Sequence, residues 1–101
     1  MEDQALDEAI VAYLGKGRSS FPRSDEEAVG PVASAHGIDE AVLLNRVRAV
    51  VDELMALTID WPAKSLSEGG REAQQIIAVR HPELGPDALD ALRWMFTYNW
   101  R

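Results

Sequence analysis

The chain has no cysteine, which excludes disulfides, thiol nucleophiles and thiolate metal sites together. Its two histidines, His36 and His81, have no second histidine at ligand spacing, so a metal centre is not expected. No apolar run approaches the roughly 18 residues that a membrane span requires, and the acidic start Met1-Glu2-Asp3 is unlike the basic start of a secretory signal. A soluble, cytoplasmic protein without a membrane partner is therefore expected. Positive charge is also scarce: 10 Lys and Arg stand against 17 Asp and Glu, for a net charge of −7. An acidic field disfavours nucleic acid and anionic membranes and favours a basic protein partner, while also serving solubility.

What remains is enough for a single domain spanning 1–101, with one hydrophobic core. The charge is unevenly placed. Residues 1–14 carry Glu2, Asp3, Asp7 and Glu8 with no base; residues 15–23 carry Lys16, Arg18 and Arg23 with no acid; acids return at Asp25, Glu26, Glu27, Asp39 and Glu40.

Strand-like alternation is missing ahead of the C-terminal aromatics, and apolar residues recur at steps of three and four. This spacing predicts an all-α fold, a compact bundle of four to five helices around a central helix at about 40–57. The first helix is expected over about 3–14, with Leu6, Ile10, Tyr13 and Leu14 inward and a stop at Gly15. A loop follows, with Phe21 folded back onto the core.

Ser24-Asp25-Glu26-Glu27 has the capping-box pattern and should start a second helix, which Gly30 and Pro31 should kink or break between Val29 and Val32. Gly37 suits a left-handed turn and Asp39 a cap for the central helix, whose seam is Leu43, Val47, Val50, Leu54 and Leu57. That helix should be largely buried. A fourth helix is expected from near Ser67, weakened at Gly69-Gly70, and a fifth from Pro86.

The segment Val32-Ala33-Ser34-Ala35-His36-Gly37-Ile38-Asp39-Glu40-Ala41-Val42-Leu43, followed by Val47, resembles a helix-turn-helix. Ala33, Gly37, Ile38, Leu43 and Val47 occupy the small, turn and aliphatic places of that motif. The resemblance implies a DNA-binding transcriptional regulator with Asn45 and Arg48 as its readers. Asp39 and Glu40 depart from the motif, because they would meet phosphates and base-edge acceptors unfavourably.

Other chemistry is poorly represented. Gly15-Lys16-Gly17-Arg18-Ser19-Ser20 follows a helix rather than a strand, which excludes a phosphate-binding loop. Lys64-Ser65-Leu66 departs from the Asp-Ser-Leu attachment site of phosphopantetheine carriers. Asp52 and Asp60 are the nearest approach to carboxylates in apolar surroundings, and both read as surface residues. His36 and His81 read as helix-end residues. Neither an enzyme nor a cofactor is expected.

Four of the seven aromatic residues crowd the C-terminus as Trp94, Phe96, Tyr98 and Trp100. On a helix, Trp94 and Tyr98 share one face while Phe96 and Trp100 lie nearly opposite. Packing accounts for one pair and leaves the other for recognition; an extended tail would instead line up all four. Phe96, Tyr98, Trp100 and Arg101 are accordingly the candidate partner-binding residues. The expectation is an acidic interaction module of the inhibitor, immunity or antitoxin type, masking a basic partner such as a toxin or nuclease.

Overall fold

A computed structural model describes residues 3–59 and 64–99. It is an all-helical bundle of α1 (Gln4–Leu14), α2 (Val29–His36), α3 (Glu40–Met55), α4 (Leu66–Arg80) and α5 (Pro86–Asn99), with a 3-10 turn at Glu26–Ala28 ahead of α2. None of these helices is long and apolar enough to cross a membrane.

Local signals set most of the helix ends. Asp3 caps α1 by accepting from the Leu6 amide at 3.1 Å, and the chain leaves the helix at Gly15. Gly37, at φ +65°, ends α2 with the Ile38 amide donating back to the Ala33 carbonyl at 2.9 Å. Two residues later Asp39 caps α3, accepting from the Val42 amide at 3.1 Å. Pro86 opens α5, where its missing amide costs no hydrogen bond.

The expected capping box at Ser24 does not form. The Arg23 amide donates to the Leu14 carbonyl and the Asp25 amide to the Tyr13 carbonyl, each at 2.9 Å. This segment is therefore laced to the end of α1, and Asp25 rather than Ser24 stands at the cap, accepting from the Ala28 amide at 3.2 Å. Nor does Pro31 break a helix. α2 starts at Val29, which puts Pro31 in the first turn, where no intrahelical partner awaits its nitrogen. The capping box that does form lies at Ser65 and Glu68, at the start of α4.

α3 packs against all four other helices. Its stripe of Leu43, Val47, Val50 and Leu54 is buried, but its opposite face is open, so the expectation of a largely buried helix is corrected to one buried seam. Ala5, Leu6, Ala9, Ile10, Tyr13 and Leu14 of α1 and Ala88, Ala91, Leu92, Met95 and Phe96 of α5 supply much of the remaining core. No polar or charged residue is buried among the described residues.

Candidate interaction surface

The C-terminal aromatics are helical through Asn99 and divide as a helix requires. Phe96 shares its face with Leu92 and Ala88 and is fully buried. Its assignment as a partner-binding residue is corrected: its side chain is packed in the core. Trp94 is half-buried against the same cluster. Tyr98 points outward at 41% exposure. Trp100 and Arg101 lie outside the described residues.

The segment resembling a helix-turn-helix does form two helices joined through Gly37, Ile38 and Asp39, and α1 packs across both. Asn45 is exposed. Arg48 is turned back into an ion pair with Glu26 of the 3-10 turn, and Arg46 pairs with Asp3 at 2.6 Å. Partial burial acts to raise the Asp3 pKa. The Leu6 amide and the Arg46 guanidinium outweigh it and hold the carboxyl below its ordinary value of 3.8. Both guanidinium groups that a DNA reader would offer from α3 are thus held by carboxylates of the same chain.

A different aromatic is offered to solvent. After α1 the chain turns tightly, with the Arg18 and Ser19 amides donating to the Gly15 carbonyl at 3.0 and 2.9 Å. The Phe21 amide then donates to the Ser19 hydroxyl at 3.3 Å. This turn, together with the backbone lacing at Arg23 and Asp25, carries Phe21 away from the core. The expectation that it folds inward is corrected: Phe21 is 51% exposed. It lines a shallow depression of about 530 Å³ with Arg23, Ser24, Asp25, Glu26 and Glu27. Composition pointed to acids here, but only the course of the loop reveals an aromatic among them.

Both histidines stand at helix ends and bond to carboxylates of other helices. His36 Nε2 lies 2.7 Å from Glu8 Oε2, joining α2 to α1. His81 Nε2 lies 2.5 Å from Glu53 Oε2 of α3, and its Nδ1 lies 3.4 Å from Glu83 Oε2. Among the described residues no group of three or more His, Asp or Glu side chains is placed to hold a metal ion.

A concavity of about 790 Å³ is an open groove between α1 and the start of α5. Asp7, on its wall, fixes the two helices by accepting the Gly85 amide on both carboxylate oxygens at 2.8 Å.

These features define an acidic all-α bundle with an exposed aromatic set beside three carboxylates. No protein-family model, curated protein or solved structure matches the chain.

Proposed function

We propose that this chain is a non-enzymatic, cytoplasmic interaction module of the inhibitor, immunity or antitoxin type that masks a basic protein partner. The observation that carries the reading is Phe21, exposed beside Asp25, Glu26 and Glu27 in one depression. An aromatic anchor rimmed by carboxylates suits a surface rich in Lys and Arg: the ring supplies apolar area and a face for cations, and the acids steer encounter. The net charge of −7 extends that attraction beyond contact distance. Tyr98 remains a candidate for a second contact, and Trp100 and Arg101, outside the described residues, remain candidates from the sequence alone.

Affinity capture from nuclease-treated host lysate tests the reading, with wild type beside a Phe21→Ala, Glu27→Gln variant verified as folded. A basic protein retained by wild type and lost by the variant is the expected result. Equal capture by both would remove the Phe21 surface from the account.

A second reading, a helix-turn-helix regulator, is favoured by the α2, Gly37 and α3 arrangement with α1 across it. In that case Asn45 and Arg48 read DNA, and Arg48 must leave Glu26 to do so. Binding to a selected duplex would then fall steeply with salt and be abolished by Arg48→Ala. Salt-insensitive binding, or none, removes this reading.

A further inference from the structure

Glu26 belongs to two arrangements at once. Its carboxylate lines the Phe21 depression, and the same carboxylate accepts the ion pair that Arg48 brings across from α3. The other two acids of the rim are placed differently. Asp25 is committed to the backbone, accepting from the Ala28 amide at 3.2 Å. Glu27 is exposed, and among the described residues no cation lies within ion-pair distance of it. One cation lines the depression itself: Arg23, exposed, with its methylenes running past Gly15. Arg48 adds a second guanidinium from outside, so the unbound depression is less acidic than its three carboxylates alone would make it.

We infer that the Arg48–Glu26 pair is an autoinhibitory contact: Arg48 occupies, from within the chain, a carboxylate that a basic partner uses, and a Lys or Arg of the partner binds by displacing it. The inference rests on the reading of this depression as the site for a basic partner, and it adds what regulates the affinity there. The pair is built for exchange. Its two side chains keep 42% and 53% of their surface exposed, so releasing one from the other needs only side-chain rotation at the surface. An exposed pair of this kind shifts an equilibrium by a factor of about five at most. The contact therefore tunes the site rather than closing it. A partner engages the fraction of molecules in which Glu26 has been released, and its apparent affinity is lowered in proportion. Glu27, which has no such competitor, is the acid that meets the partner first.

Titration of the full chain with a capped triarginine peptide, followed through the amide NMR shifts of residues 21–27, tests this with a defined cation. The proteins are wild type, Arg48→Gln, Glu26→Gln, the double variant and Arg71→Gln, which makes the same change in net charge from an exposed position on α4. Arg48→Gln should bind the peptide about two- to fivefold more tightly than wild type, and Arg71→Gln should gain less. In the Glu26→Gln background, Arg48→Gln should lose most of its gain. Circular dichroism checks each fold, and Arg48→Ala takes the place of Arg48→Gln if the latter is misfolded. Peptide binding at 21–27 with no gain in Arg48→Gln overturns the inference and leaves the masking reading standing. So does a gain equal to that of Arg71→Gln, or one of the same size with and without Glu26. Shifts at 21–27 that stay unperturbed in all five proteins overturn both.

Discussion

Gly70 of α4 lies so close to Thr97 of α5 that a Cβ at position 70 would overlap the Thr97 Cγ2 methyl. The methyl has little freedom to move aside, because Thr97 Oγ1 donates to the Arg93 and Trp94 carbonyls at 3.0 and 3.2 Å. Gly70 thus permits the close crossing that puts Ala73 and Ile77 of α4 into the core beside α5.

Gly70→Ala should therefore destabilise the fold by about 1–2 kcal/mol, the overpacking cost exceeding the roughly 1 kcal/mol gained in helix propensity. In a Thr97→Ser background, where the methyl is gone, the same substitution should be neutral or stabilising. Urea unfolding of the four proteins of this cycle measures the coupling, and equal effects in both backgrounds would refute the contact.

The start of α4 depends on a reciprocal pair. The Glu68 amide donates to Ser65 Oγ at 3.2 Å while the Ser65 amide donates to Glu68 Oε1 at 3.4 Å. Ser65→Ala should cost about 1 kcal/mol in urea unfolding. Glu68→Ala added to it should cost less than it does alone, since half of the box is already lost.

Asp3 links the start of α1 to α3 through Arg46, and its folded pKa is depressed. A depressed carboxylate adds stability that is present above its unfolded value, near 3.8, and lost as the pH falls through its lower folded value. Asp3→Asn keeps a capping oxygen and removes the charge, so it should destabilise by about 1 kcal/mol or less at pH 7. The difference from wild type should shrink below about pH 4 as the native carboxyl takes up its proton. Urea midpoints at the two pH values check this; a difference that stays constant or grows on acidification contradicts it.

The sequence made the helices legible where a cap, a turn glycine and an apolar period agree. α1, the Gly37 turn and the seam of α3 are such places. It misled where one local pattern occurs twice. Ser24 and Glu27 have the same spacing as Ser65 and Glu68, yet only the second pair forms a box, because backbone bonds to Tyr13 and Leu14 decide the course of the first segment. The tail shows the same limit. Helical spacing separated Phe96 from Tyr98 correctly, but which face meets the core is set by the approach of α1, α3 and α4 to α5. The exposure of Phe21 had no local signal, since an aromatic in a loop folds inward or outward according to where the loop is tied. Gly70 was read as a weakness of its helix, because the partner that requires a glycine lies on another helix.

The most direct test of the masking function is photo-cross-linking in host lysate with a benzophenone amino acid at position 21, beside the same probe at Val79, which is 83% exposed on α4. A basic protein cross-linked from position 21, absent from position 79 and lost when Asp25, Glu26 and Glu27 are neutralised, is the result this account predicts. No cross-link at 21, or products identical at 21 and 79, would contradict it.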